Sequence, residues 1–120
     1  MNAMDANTTV NSLKRRIRDF VHDRAWEQFH NPKDLALSIS VEAAELLELF
    51  QWQSADAVTD AISRPAFRER IGEELADVVI YALSLANALN LDLSTIVTAK
   101  IDANESKYPV SEYYGVYEKR

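Results

Sequence analysis

A chain of 120 residues has the size of one domain, and its net charge of −6 argues against general nucleic-acid binding. The absence of cysteine excludes disulfides and thiolate metal sites, and no apolar run is long enough to span a membrane. Only 2 glycines and 3 prolines favour long helices over β-turns. The polar N-terminus lacks the apolar core of a signal peptide, so we expect a cytoplasmic protein.

The first two helices are predicted from apolar periodicity and from a proline signal. The first helix runs from about Val10 to Trp26 or beyond, with an apolar stripe beside a basic flank. Asn31 precedes a proline, which disfavours helical geometry at the asparagine and favours a helix start just after it. The second helix then runs over about residues 32–52 and is apolar nearly all the way round. A helix of that kind is buried by its own fold or by another subunit.

The next two helices follow a looser stretch at residues 54–65, which holds at most a short helix. The third helix is predicted over about residues 65–90. Asp92 or Ser94 is expected to cap a fourth helix that ends near Lys107, since a proline follows shortly.

Four helices with short connections predict an all-α protein whose protomer is a four-helix bundle. The apolar second helix favours assembly of this protomer into a homo-oligomer. We divide the chain into a flexible N-terminus (residues 1–9), an all-α domain (10–109) and a C-terminal tail (110–120).

Two pairs of acids lie inside helical stretches that carry no lysine or arginine. Glu42 and Glu45 are three residues apart in the second helix, as are Glu74 and Asp77 in the third. Residues at this spacing share a helix face, so packing the two helices together would gather four carboxylates. No basic residue occurs over positions 34–63 or 71–99, so these carboxylates need a cation. Oxygen ligands of this kind suit Mg²⁺ or Mn²⁺.

Two other interpretations of the acids are open. They could lie on solvated faces or pair with the basic residues of the first helix. A ferritin-like di-iron site ranks lower, because it takes two Glu-x-x-His pairs and the chain does not supply two.

Aromatic residues lie two predicted turns beyond each acidic pair. Trp52 follows Glu45 by seven residues, and Tyr81 follows Glu74 by seven, which is about 10 Å along one helix face. This spacing fits a metal-bound phosphate chain with a flat group stacked farther along. Trp26 is a similar candidate, and all three aromatics could instead be core or interface residues.

Lys100, Asn104 and Lys107 share one face of the fourth helix at positions i, i+4 and i+7. Two cations and an amide suit phosphate oxygens, although a solvated face would have the same composition. His30 near Pro32 is more typical of a loop-capping histidine than of a ligand.

Three stretches resemble a known family: WEQFHNPKDLALSISVEAAELLELFQW, EELADVVIYALSLA and KIDANESKYP. They are similar to the MazG-like all-α nucleotide pyrophosphohydrolases, and within them to the dCTP pyrophosphatase branch. The resemblance covers about residues 13–109. The family signature is ExxE, a spacer and ExxD, met here by Glu42, Glu45, Glu74 and Asp77 with 28 residues between the pairs.

The resemblance implies a Mg²⁺-dependent hydrolase, with Mn²⁺ as a substitute, that cuts a nucleoside triphosphate into a monophosphate and pyrophosphate. The four acids would hold the metals, and Glu45 would orient the attacking water. The family positions near the phosphates are matched by Lys100, Asn104, Lys107 and Tyr81. Those that line the base pocket are matched by Trp26, Trp52 and the nearby His30.

The resemblance also implies a house-cleaning role, a homotetramer and active sites that borrow residues from a second chain. We predict dCTP or a related pyrimidine as the substrate. Ile17 stands where the animal enzymes carry a base-pocket histidine, and Ala43 and Ala44 stand where relatives usually have a glycine. The alternatives are a dUTPase-like or broad-specificity enzyme, and a non-catalytic helical module that binds metal or a partner protein.

Overall fold

The computed structural model describes residues 2–118, which form α-helices and two 3₁₀ turns and contain no β-strand. The all-α prediction is confirmed. The helices are α1 (Val10–Asp23), α2 (Pro32–Glu48), α3 (Ala55–Ala61), α4 (Pro65–Ala88), α5 (Leu93–Lys107) and α6 (Val110–Tyr113). The 3₁₀ turns lie at Asp5–Asn7 and Glu27–Phe29. The four predicted helices correspond to α1, α2, α4 and α5, and the short helices α3 and α6 are additional.

Side-chain caps explain where most of these helices begin. In each case a polar side chain just before the helix accepts a hydrogen bond from a backbone N–H of the first turn, which otherwise has no partner. The capping residues are Thr9 for α1, Asn31 for α2, Ser54 for α3 and Asp92 for α5. Asp92, and not Ser94, therefore caps the fourth of the long helices.

Helix α1 ends at Asp23, three residues before the predicted end. Ala25 has a φ of 52°, in the left-handed region that a helix cannot contain. The N–H of Trp26 donates to the carbonyl of Val21 at 3.0 Å, and the N–H of Ala25 donates to the carbonyl of His22 at 3.0 Å. This pair of bonds is a Schellman motif, with alanine at the position that glycine usually takes.

Helix α2 ends at Glu48, and the prediction that it reaches Trp52 is wrong. Beyond Glu48 the backbone tightens to i→i+3 hydrogen bonds, such as that from the N–H of Phe50 to the carbonyl of Leu47 at 2.9 Å. Tighter bonds of this type commonly close a helix end. Trp52 therefore does not share a helical face with Glu45.

The chain forms two compact units, the first ending at Asn90 and the second beginning at Leu91. In the first unit α1 and α2 both pack against α4, which makes α4 the central helix of that unit. Its buried side chains are Val21, Leu35, Leu49, Ala61, Leu83, Ser84 and Ala86. The second unit contains α5 and α6, with Tyr108 and Tyr113 in an edge-to-face contact at 5.1 Å. No single helix in the described chain combines the length and apolar character needed to cross a membrane.

Polar groups between α1 and α4 have partners. The side-chain amide of Asn87 donates to the carbonyl of Lys14 at 2.9 Å, and its oxygen accepts from Arg18 at 3.1 Å. The buried hydroxyl of Ser84 donates to the carbonyl of Ile80 at 2.9 Å. Helices α1 and α4 are thus joined by a hydrogen-bonded contact in which both ends of the Asn87 amide are used.

Candidate metal and nucleotide site

Three carboxylates converge where α2 and α4 pack together. Glu42, Glu45 and Glu74 each offer one oxygen, and these three oxygens lie within 4.8 Å of one another. Glu42 and Glu45 reach this point because three residues of helix bring two side chains to one face. Glu74 reaches it from the facing helix, since α2 and α4 are in contact. The structure thereby brings together three of the four acids of the sequence motif.

Two of the three carboxylates are only partly accessible. Glu42 and Glu74 are half-buried, whereas Glu45 is exposed. One oxygen of Glu42 and one of Glu74 are fully shielded from solvent and have no hydrogen-bond partner in the described chain. A buried acceptor without a partner costs about 1–3 kcal/mol, more when it is charged. Buried oxygens of this kind are uncommon in folded proteins, and a bound ion is one partner that satisfies them.

Burial and mutual repulsion change the titration of these groups. Burial raises the pKa of Glu42 above its ordinary value of 4.5, and the neighbouring Glu45 carboxylate raises it further. Burial likewise raises the pKa of Glu74, again followed by the effect of Glu45. The charge of Asp77 contributes to both shifts, which places it close to the cluster although it is exposed and outside the trio.

A divalent cation fits this arrangement. The donors are all carboxylate oxygens, which suit hard ions such as Mg²⁺ or Mn²⁺, and no thiolate is available to favour softer metals. A cation would give the two unpartnered oxygens a partner and remove the repulsion among the three charges. The sequence argument for an oxygen-ligand site thus finds a matching geometry.

A cavity of about 480 Å³ lies between α1 and α4 and is mainly apolar. Trp26 and His30 reach it from the connection between α1 and α2, and Tyr81 and Ile17 line it from the helices. Trp26 also packs edge-to-face against Phe20 with a centroid distance of 5.7 Å. The structure brings together Trp26, His30 and Tyr81 in the lining of this cavity.

Other predicted residues lie outside this cavity. Trp52 is 89% exposed in the turn after α2 and does not line the cavity that contains Trp26. Lys100, Asn104 and Lys107 lie on α5 in the second unit. The ammonium of Lys107 lies 5.5 Å from the ring centroid of Tyr108, so part of this face already makes a cation–π contact.

A second groove of about 540 Å³ adjoins the carboxylates, because Glu45 and Glu74 line it as well. Its remaining walls are Glu48, Leu49, Gln53, Phe67 and Arg70. Arg70 is the residue that the sequence reasoning missed. It lies four positions before Glu74, directly before the base-free stretch, so its place on the acid-bearing helix face could have been found from spacing.

The sequence pattern of the MazG-like family matches residues 37–119, which include all four acids. The chain belongs to the MazG-like family. The predicted resemblance is confirmed by this match and by the relatives described next.

Mammalian relatives carry the name dCTP pyrophosphatase 1. The rat protein is 40% identical over 102 residues, which are 85% of this MazG-like chain and 60% of the relative. The human protein is 39% identical over 101 residues, 84% of this chain and 59% of the relative. The chain therefore spans about 60% of the length of these relatives.

The fold is also similar to that of a solved structure, a pyrophosphatase from Archaeoglobus fulgidus. The TM-score is 0.78 at 38% sequence identity, with 90% of this chain and 99% of the other covered. This likeness agrees with an all-α MazG-like fold over most of the chain.

Proposed function

We propose that this chain is a metal-dependent nucleoside triphosphate pyrophosphohydrolase that converts dCTP or a related pyrimidine nucleotide into its monophosphate and pyrophosphate. The observation that carries the proposal is the trio of carboxylates with two shielded, unpartnered oxygens. Relatives named dCTP pyrophosphatase support the substrate class. The reaction removes a nucleotide from the triphosphate pool, which is a house-cleaning role.

Glu42, Glu45 and Glu74 would hold the cation, with Asp77 as a further ligand. When bound, Mg²⁺ would neutralise phosphate charge and lower the pKa of a coordinated water molecule. One oxygen of Glu42 and one of Glu74 have no hydrogen-bond partner in the described chain, which leaves these oxygens available as ligands.

The chemical step is a direct attack by water on the α-phosphorus. The water oxygen forms a bond to that phosphorus, and the bond from the phosphorus to the oxygen that bridges to the β-phosphate breaks. Pyrophosphate leaves with the bridging oxygen. Glu45 accepts the proton of the water, because it is the exposed member of the trio and has access to an entering molecule.

The remaining residues bind the substrate. Trp26 and His30 hold the base in the 480 Å³ cavity, with Tyr81 in its wall. Lys100, Asn104 and Lys107 on one face of α5 supply two ammonium groups and an amide, which are suitable donors for phosphate oxygens. Trp52, which is 89% exposed, completes the base site of a second subunit.

The functional form is a homo-oligomer, in our proposal a tetramer. Large apolar side chains are exposed on α2 and α4, such as Leu37 at 60%, Leu47 at 62% and Leu75 at 50%. Exposed apolar surface on packed helices is typical of a protein interface, and a second copy of the chain is the occupant we propose. Light scattering at micromolar concentration should give a mass of about four chains, and a monomer would contradict the assembly.

The decisive experiment measures pyrophosphate release from a panel of dNTPs and NTPs with Mg²⁺ and with EDTA. We expect release with Mg²⁺, strongest for dCTP, and none with EDTA. Orthophosphate should appear only after inorganic pyrophosphatase is added, because the bond cut lies between the α- and β-phosphates. Absence of release from every nucleotide by the folded protein would reject the function and favour a non-catalytic metal- or partner-binding module.

A broad-specificity enzyme is the second candidate, and one residue favours it. Ile17 lines the cavity that would hold the base, and its side chain has no hydrogen-bonding group to read a base edge. Equal rates with dCTP, dUTP and dTTP in the same panel would select this candidate while leaving the reaction type unchanged.

A further inference from the structure

We propose that Arg70 binds the terminal phosphate of the triphosphate and then the pyrophosphate product, which makes it a residue that selects triphosphate substrates. The inference rests on the proposed function, because it assigns the far end of the same substrate.

Arg70 lies in the groove that continues from the carboxylate trio. Glu45 and Glu74 line this 540 Å³ groove, and Arg70 lines it together with Glu48 and Gln53. Within residues 2–118 the guanidinium of Arg70 makes neither a hydrogen bond nor an ion pair. A cation that borders three carboxylates without pairing with one of them is available to an anion that enters the groove.

The order of residues along α4 matches the order of groups in the proposed substrate. Arg70, Glu74, Asp77 and Tyr81 follow one another at spacings of four, three and four residues, so they share one face of the helix. Tyr81 borders the aromatic cavity at one end, and Arg70 borders the groove at the other. The two positions are about 16 Å apart along the axis, comparable to an extended nucleoside triphosphate.

The chemistry of the groove agrees with this direction. With the base in the aromatic cavity and the α-phosphate at the carboxylate trio, the β- and γ-phosphates extend toward Arg70. A guanidinium presents a planar fork of donors that matches phosphate oxygens in pairs. Among the residues that line this groove, Arg70 carries the positive charge. The amide of Gln53 already donates to the carbonyl of Leu49 at 3.0 Å.

A purely structural role for Arg70 would be to offset the charge of Glu48 and Glu74. That role predicts lower stability on substitution and a similar loss of binding for every ligand. Phosphate recognition instead predicts a loss of affinity that depends on the number of phosphates, because a monophosphate bound at the trio does not extend to Arg70.

The test is calorimetric binding of pyrophosphate and, separately, of dCMP to the full chain in the presence of Mg²⁺. We expect Arg70→Ala to weaken pyrophosphate binding about tenfold or more, since a hydrogen bond to a charged group is lost, and to leave dCMP binding unchanged. Arg70→Lys should recover part of the affinity because it restores the charge without the planar fork.

Arg68→Ala is the matched control, with the same change of charge two positions away. The Arg68 guanidinium donates to the carbonyl of Ile62 at 3.3 Å and does not line the groove, so pyrophosphate binding should be unchanged. If Arg70→Ala is unfolded by circular dichroism, Arg70→Lys and Arg70→Gln carry the comparison at the same position.

The outcomes separate this inference from the proposed function. Equal pyrophosphate affinity in wild type and Arg70→Ala overturns the inference, and so does an equal loss for dCMP or a wild type that binds no pyrophosphate. If the wild type hydrolyses nucleotides while any of these binding results is obtained, the proposed function stands and the role of Arg70 is rejected. Arg70-dependent pyrophosphate binding without turnover rejects the function and keeps the phosphate site.

Discussion

The polar groups on the two faces of α4 that contact α1 and α2 differ in whether they have hydrogen-bond partners. Toward α1, the amide of Asn87 uses both its donor and its acceptor, and the hydroxyl of Ser84 is satisfied within the helix. Toward α2, Glu42 and Glu74 each keep a shielded oxygen without a partner. One helix thus carries a satisfied contact and an unsatisfied one. This difference indicates that the contact between α1 and α4 stabilises the fold, whereas the unpartnered oxygens between α2 and α4 lower stability in the absence of a ligand.

The largest effect on activity should follow from neutralising one carboxylate on the face of α4 that contacts α2. We expect Glu74→Gln to reduce pyrophosphate release more than about 100-fold, since a ligand charge is lost at the metal site. The metal-free variant should melt at a higher temperature than wild type, because the change removes a repelling charge. Steady-state kinetics and calorimetry in EDTA measure both effects.

Glu69→Gln is the control for this variant, with the same change of charge on an exposed position of α4 that does not line the groove. It should leave turnover and the effect of Mg²⁺ on melting unchanged. Wild-type turnover by Glu74→Gln would remove Glu74 from the site.

A substitution on the face of α4 that contacts α1 should lower stability and leave turnover nearly unchanged. Asn87→Ala removes two hydrogen bonds between α1 and α4 and should lower the free energy of unfolding by about 1–2 kcal/mol. Turnover per folded molecule should stay near that of wild type. Urea unfolding measures the loss, and Asn11→Ala on the exposed side of α1 should change stability by much less. A stability equal to that of wild type would contradict the structural role of Asn87.

The pH dependence of the metal-free protein sharpens the same comparison. The pKa values of Glu42 and Glu74 are raised above 4.5 in the folded chain, so the folded state holds protons that the unfolded chain releases. Stability should therefore fall as pH rises from about 4.5 through the raised pKa values and then level off. The sign is opposite to that of a salt-bridged carboxylate.

Melting temperatures in EDTA between pH 4 and pH 8 measure this effect. The melting temperature of wild type minus that of a Glu42→Gln, Glu74→Gln double variant should fall with rising pH, and Mg²⁺ should restore it near neutral pH. A difference that is independent of pH would mean that the pKa values of the two acids are not raised in the folded protein.

The smallest effect concerns an exposed pair at the end of α1. His22 Nδ1 lies 2.7 Å from Glu27 Oε2, and this hydrogen bond raises the pKa of His22 above 6.5 and lowers that of Glu27. The stabilisation is fully present below pH 6.5 while Glu27 is ionised, and it is lost as pH rises through the raised pKa of His22. Glu27→Gln should lower the His22 titration midpoint seen by NMR, and an unchanged midpoint would show that the pair does not persist in water.

The starts of the helices were predictable because caps are local. Asn31 before Pro32 and the aspartate at position 92 act through backbone groups within three residues of their own position. The ends were less predictable. The left-handed conformation of Ala25 and the tightened turn after Glu48 depend on how the chain packs against its neighbours. Neither alanine nor glutamate is a residue that typically ends a helix.

The carboxylate trio was predictable for a similar reason. The three-residue spacing of Glu42 and Glu45 sets one face, and the lack of nearby cations in the sequence marks that face as unusual. The position of Trp52 was not predictable, because it relied on a helix that ends four residues earlier. Arg70 lies outside the base-free stretch, and only the packing of α2 against α4 shows that both helices line its groove.

Alanine at position 25 has a consequence for how the aromatic cavity is held. A non-glycine residue in the left-handed region costs about 1–2 kcal/mol, so glycine would be the less strained residue at this Schellman position. Glycine would also give the next residues more freedom, and the next residue is Trp26, one wall of the cavity. Ala25 thus limits the backbone freedom of the segment that carries Trp26, in exchange for a small amount of strain.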